Sequence, residues 1–276
     1  MNIDFSLHSD ILSYSLPNKN AETKLIITEN QLKKTHYRAI ILVLASDNNN
    51  IYNNARMVWK KYMNLDPTIK VFYVYGELFN PTGLADYDVD SDLIFPNIKE
   101  SYPVLIEKTI CAMKQIYKTY SSDFFIRTNL TTFWDFEKLH LHLNDLPTTQ
   151  CYSGDGPLPG YNSNGYYLSG TDTIISKDLV SSIITNSNLV NYNIVEDSAM
   201  GRYFHGILGV PMLTNRICFF EDIKSSNETF NIYNRITDAV QTNRDHYRVK
   251  SLHPNREEID IFIYKILLRQ IYKISF

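Results

Sequence analysis

The run Ala39-Ile40-Ile41-Leu42-Val43-Leu44-Ala45 has no polar side to turn toward water. Alternation would mark a strand with one wet face. An unbroken apolar run of this length instead marks a strand covered on both faces, the condition of an interior strand in an α/β sheet. Ser46-Asp47-Asn48 follows with turn and N-cap chemistry, and the segment from Ile51 to Met63 reads as a helix. Lys70 to Tyr75 is a second strand closed by Gly76, and Asp92 to Phe95 a short third. Strand, helix and strand in that order predict a βαβ opening with a right-handed crossover.

Between Tyr102 and Tyr120 the apolar residues Leu105, Ala112, Met113 and Ile116 recur at helical spacing, with Lys108, Lys114 and Lys118 on the flanks. This amphipathic helix feeds the strand Asp123 to Thr128, and Trp134 to Leu143 forms the next helix before Pro147. From Gly154 to Gly170, glycines, prolines and tyrosines crowd together in what reads as a surface loop shaping a site. A helix from Lys177 to Thr185 comes next. Val195-Glu196-Asp197 then starts a further helical segment, its acids suited to a helix N-terminus, and an apolar helix from Glu257 to Tyr272 docks on the core. With 276 residues and 44% hydrophobic content the chain can bury one large α/β core. Residues 1–35 read as an extension packed on a single domain spanning 36–276.

Charge and cysteine usage exclude some classes. A formal net charge of -3 and a pI near 6.2 argue against nucleic acid as partner, since such binders carry a basic surplus. Cys111, Cys151 and Cys218 lack metal-ligand spacing and read as reduced structural thiols. The amino terminus has neither the basic region nor the apolar core of a signal peptide, and nowhere do about 18 apolar residues run together. The expectation is a cytoplasmic protein with no transmembrane segment, its oligomeric state left open. Walker, Gly-x-Ser-x-Gly and His-Glu-x-x-His motifs are absent.

The strand Asp123 to Thr128 stops on the polar cluster Arg127-Thr128-Asn129-Leu130-Thr131, and open α/β sheets bind ligands beyond the carboxyl ends of their strands. This cluster resembles the strand ending in the Asp-x-Asp motif of GT-A-fold glycosyltransferases, the β1,3-glycosyltransferase and Fringe-like group in particular. The acidic triplet of that group reads Asn129-Leu130-Thr131 here, so the motif is degenerate. Four further blocks resemble the same group in the same order: Ala55-Arg56-Met57-Val58-Trp59; Lys99-Glu100-Ser101-Tyr102 with Lys108-Thr109; Tyr167-Leu168-Ser169-Gly170; and Glu196-Asp197-Ser198-Ala199-Met200-Gly201.

The resemblance implies a GT-A-type, Rossmann-like central mixed sheet flanked by helices, with a nucleotide-binding half over about 36–135 and an acceptor half over about 136–276. It implies an inverting glycosyltransferase moving a hexose from a nucleotide-diphosphate sugar, UDP being the usual nucleotide, to a hydroxyl on a glycan, protein or lipid. The alternative is a catalytically silent nucleotide-sugar or glycan-binding domain. In-line displacement needs a carboxylate to take the acceptor proton and positive charge to stabilise the departing diphosphate. Asp197 is the first candidate base and Glu196 the second. Ser46, Asp47, Arg56, Lys108, Arg127, Thr128 and Asn129 are placed for the donor, and Tyr167, Ser169 and Gly170 for the acceptor. Trp134, Tyr161, Tyr166 and Tyr167 are candidates to stack on a sugar ring.

Mn²⁺ and Mg²⁺ prefer anionic oxygens, which Asn129 and Thr131 do not offer. Two routes to charge stabilisation stay open: a Mn²⁺ or Mg²⁺ ion held mostly by the diphosphate, with Asn129, Thr131 and His253 or His246 as ligands, or cationic side chains alone. The run Arg244 to Arg256 supplies Arg248 and Lys250 for the second. Plainer readings stand beside each role: helix-end acids, a solvated basic loop, an exposed helix arginine, a core tryptophan.

Overall fold

Strand β1 (Thr35–Leu44) runs through the interior of a seven-stranded sheet, with every residue from Ala39 to Ala45 buried. Ala39, Ile41, Val43 and Ala45 pack into one hydrophobic layer and Ile40, Leu42 and Leu44 into the other, which is why neither parity of the run tolerates a polar residue. The computed structural model describes residues 34–84, 86–101, 105–160, 165–214, 220 and 229–276. Apart from Lys34 and Thr35, the expected amino-terminal extension lies outside them, as do Tyr102, Tyr161 and Cys218.

Helix α1 (Asn50–Tyr62) starts where the Asn49 side chain accepts the amide of Tyr52 at 3.0 Å, and it ends on Lys60 and Lys61, which suit the negative end of the helix. Its buried Ala55, Val58, Trp59 and Tyr62 face one layer of the core. Strand β2 (Ile69–Tyr75) then pairs parallel with β1, and β3 (Asp92–Ile94) parallel with β2. Helix α2 (Leu105–Thr119) buries Ile106, Ile110, Met113 and Ile116 against the opposite layer. Strand β4 (Tyr120–Asn129) pairs parallel with the other edge of β1, from Thr35 opposite Tyr120 to Leu44 opposite Asn129.

After β4 come β5 (Thr132–Trp134), helix α3 (Phe136–Asp145) capped by Asp135, and β6 (Tyr152–Gly154). The glycine-rich stretch folds into a small ladder, β7 (Leu158–Pro159) against β8 (Tyr166–Tyr167), leading into β9 (Thr173–Ser176) and α4 (Lys177–Thr185). Helix α5 (Glu196–Gly201) continues through the wider π turns of Arg202–Ile207 and is followed by β10 (Met212–Thr214). Helix α6 (Thr229–Val240), β11 (His246–Arg248) and α7 (Arg256–Leu267), extended by Leu268–Tyr272, complete the described chain.

The sheet order is β10-β6-β9-β4-β1-β2-β3, and β9 alone runs antiparallel to its neighbours, so the architecture is α/β with a mixed central sheet flanked by helices. From β1 the chain passes by α1 to β2 on one side, and later returns by α2 to β4 on the other. The crevice between the carboxyl ends of β1 and β4 is therefore a topological switch point, where open α/β sheets place their ligands. Trp134, expected to open a helix, ends β5 instead, because it pairs with His246 of β11. Among the described residues no helix is long and apolar enough to cross a membrane.

Candidate active site

At the switch point a cavity of about 370 Å³ opens, a volume suited to a small-molecule ligand. Leu44, Ala45 and Ser46 bound it from the end of β1, and Asn129, Leu130 and Thr131 from the end of β4. Ser169, Gly170 and Thr171 line it ahead of β9, Lys108 from α2, Asp197 from α5 and Arg248 from β11. Nine of the residues anticipated from the sequence thus meet in one space: Ser46, Lys108, Arg127, Asn129, Thr131, Ser169, Gly170, Asp197 and Arg248. Ser46 Oγ is buried with no hydrogen-bond partner among the described residues.

Two adjacent acids on α5 divide their tasks. Glu196 is fully buried: one oxygen accepts the Arg127 guanidinium and the other the Thr109 hydroxyl of α2 at 2.5 Å. Glu196, anticipated as an alternative base, thus faces inward to hold Arg127. Asp197 instead reaches the cavity, its Oδ1 3.6 Å from Arg127. Burial raises the Asp197 carboxyl above the ordinary carboxylate range against the pull of Arg127, and the charge on Glu196 adds to the rise. A carboxylate with a raised pKa is a stronger proton acceptor. Arg127 also donates to the Gly170 carbonyl, and a Cβ on Gly170 would collide with both the guanidinium and Asp197. Glycine is needed there for space.

Across the cavity, Asn129 Oδ1 accepts from three donors: the Arg248 guanidinium, Thr131 Oγ1 at 3.0 Å and Thr132 Oγ1 at 3.2 Å. Pairing of β11 with β5 sets Arg248 opposite Thr132 and so beside the end of β4. An amide oxygen already saturated and abutted by a guanidinium does not fit a hard divalent cation, which needs free and preferably anionic oxygens. His253 is not brought to the cavity; its Nδ1 accepts the Asn255 amide at 2.9 Å. Among the described residues no group of three His, Cys, Asp or Glu is arranged to hold a metal. Asn129 and Thr131 thus share the cavity, and His253 stands apart from them.

Lys108 is buried, donating to the Ala45 carbonyl at 3.0 Å and to Glu100 at 2.5 Å, while Glu100 also accepts the Gly76 amide at 2.5 Å. Burial lowers the Lys108 pKa and the nearby Glu100 opposes the drop. Lys108 thus ties α2 to the ends of β1 and β2 while forming part of the cavity wall. Glu100, Thr109 and Thr171 complete the site without having been singled out; the first two lay within the sequence blocks around Lys99 and Lys108.

Other anticipated residues sit elsewhere. Arg56 is buried against Asp92 at 2.5 Å and the Asp86 carbonyl at 2.8 Å, over the Tyr73 ring, because its helix face turns toward β2 and β3. Asp47 accepts the amides of Phe79 and Asn80, at 2.9 and 2.8 Å, and so tethers the loop after β2. Thr128, alternating away from Arg127 and Asn129 on β4, donates to the Thr171 carbonyl at 2.6 Å and accepts from Trp134 Nε1, which makes Trp134 a core residue. Tyr167 lies against Gly201 of α5, and Tyr166 and Lys250 are exposed outside the cavity wall.

No family model and no curated protein matches this sequence. Among solved structures, the chain is similar to one described as a glycosyltransferase involved in the glycosylation of the major capsid of PBCV-1. That likeness has 10% identity and a TM-score of 0.44, over 83% of this chain and 98% of that one. A likeness of that depth leaves the chemistry to be argued from the residues of the cavity.

Proposed function

We propose that this cavity binds a nucleoside-diphosphate sugar and that the protein is an inverting glycosyltransferase of GT-A type. One observation carries the reading: Asp197, a carboxylate with raised proton affinity, faces a switch-point cavity that it shares with Arg127 and Arg248. In the proposed step Asp197 takes the proton of an acceptor hydroxyl as its oxygen attacks the anomeric carbon. The bond from that carbon to the diphosphate breaks, and the leaving group carries away the electron pair. Developing negative charge meets Arg248, which lines the same cavity and donates to the Asn129 amide oxygen. Ser46, which lines the cavity with its hydroxyl buried, would bond the nucleotide portion in this reading.

No step in this scheme passes through a metal ion. UDP is the nucleotide we favour, and a glycan, protein or lipid hydroxyl the acceptor. The test is incubation with a panel of UDP- and GDP-sugars, with and without Mn²⁺, followed by detection of released nucleoside diphosphate. Slow donor hydrolysis abolished by Asp197→Asn supports the enzyme. Tight donor binding with no hydrolysis or transfer would favour a silent binding domain, and no binding of any donor would end the proposal.

A further inference from the structure

Beside the cavity, four ionisable side chains lie in a buried line contributed by separate parts of the chain. His142 Nδ1 of α3 is 2.5 Å from Asp245 Oδ2, Asp245 Oδ1 is 2.8 Å from His246 Nδ1, and His246 Nε2 is 3.4 Å from Asp172 Oδ2. All four residues are more than nine-tenths buried. Asp172 is held in turn by the Asp155 amide at 3.2 Å and the Thr171 hydroxyl at 3.0 Å, and Thr171 lines the cavity. The His246 ring also packs on Trp134, with centroids 4.9 Å apart. Charged and polar groups are costly to bury unless they are paired, and here each is paired by directional contacts that orient its neighbour.

What this line fixes is β11. Among the described residues that strand is three residues long and forms its ladder with the equally short β5, while the Arg248 carbonyl also accepts the Phe220 amide at 2.9 Å, and a ladder this short is marginal by itself. Side chains alternate along a strand, so His246 and Arg248 project from the same side while Tyr247 turns into the hydrophobic core. Anchoring His246 therefore sets the position from which Arg248 reaches Asn129.

We propose that His246 is a positioning residue: clamped between Asp245 and Asp172 and packed on Trp134, it holds β11 so that Arg248 presents its guanidinium to the diphosphate of the donor. This rests on the cavity being a nucleoside-diphosphate site.

The test is a double-mutant cycle read by calorimetric titration of UDP and GDP, with and without Mn²⁺, into the full chain. Wild type, His246→Ala, Arg248→Ala and the double variant are compared, with melting curves for each. A single loss of about ten-fold or more in affinity is expected from either substitution, the scale of a charge-assisted contact. The double variant is expected to bind no more weakly than Arg248→Ala alone, because His246 acts through Arg248. His246→Phe, which keeps an aromatic ring and loses the contacts to Asp245 and Asp172, serves where the alanine variant does not fold, and is expected to weaken binding comparably. Wild-type affinity in a folded His246 variant, or fully additive losses in the double variant, would overturn the positioning role. If wild type binds neither nucleotide, the nucleotide reading of the cavity fails first and takes this role with it.

Discussion

The guanidinium of Arg248 on β11 donates to the side-chain oxygen of Asn129 at the end of β4, across a separation of 119 residues. A cation thereby stands in the wall of the switch-point crevice, beside the polar residues that end β4. Positive charge built from a side chain needs no exchangeable ligand, and Arg additionally offers paired donors to phosphate oxygens.

Chelation is the direct check on this arrangement. Donor turnover should be unchanged within about two-fold by EDTA, while Arg248→Ala should lower kcat/KM by about 10²-fold, the scale of losing one preorganised donor. A collapse in EDTA that Mn²⁺ restores would show that a metal, not Arg248, carries the diphosphate charge.

The pair Glu196 and Asp197 should be separable by pH. Asp197→Asn should reduce transfer by about 10²- to 10⁴-fold, with donor affinity close to wild type. Because burial and the Glu196 charge raise the Asp197 pKa, the wild-type rate should fall on acidification at a higher pH than an ordinary carboxylate would give. Glu196→Gln removes one source of that rise and lets Arg127 turn to Asp197, so the acid limb should move to lower pH. A rate profile of the folded variant unmoved from wild type would contradict the coupling.

Asp172 and Asp245 act on stability in opposite senses. Burial raises the Asp172 pKa from 3.8 to about 6, so the folded state holds that proton more tightly than the unfolded one. Its contribution is favourable below about pH 4 and is withdrawn as pH rises through about 6, by about 3 kcal/mol at most. Asp245, against the same burial, is pulled well below its ordinary range by hydrogen bonds from His142 and His246, so its contribution is full above about pH 4 and lost on further acidification. Urea unfolding from pH 4 to 7 should show a downward slope that Asp172→Asn flattens. An unchanged slope in that variant would place the titration elsewhere.

Arg56 should behave as a structural residue. Its partner Asp92 is buried, so Arg56→Ala strands a carboxylate and should cost about 3–5 kcal/mol of stability. The folded fraction should keep nearly wild-type donor affinity. A selective loss of affinity at unchanged melting temperature would return Arg56 to the donor site.

The run from Ala39 to Ala45 determined by itself that β1 lies inside a sheet, since no one-sided strand buries both parities. Local signals likewise placed α1, with its cap, and α4 and the long carboxy-terminal helix, whose apolar patterns are contained in their own residues. The polar end of β4 and the acids opening α5 were legible as candidates because side-chain chemistry is written in the residue types. Which way each pointed was not. Glu196 and Asp197 are neighbours on one helix, and only Thr109 and Arg127, brought from other elements, decide that the first turns inward and the second meets the cavity. β9 and β11 are too short to show a period, and they exist through pairing with β4, β6 and β5. Arg56 and Arg248 were alike as exposed-looking cations. Tertiary structure separated them, because burial against Asp92 or contact with Asn129 depends on chain segments that meet only once the sheet has closed around β1.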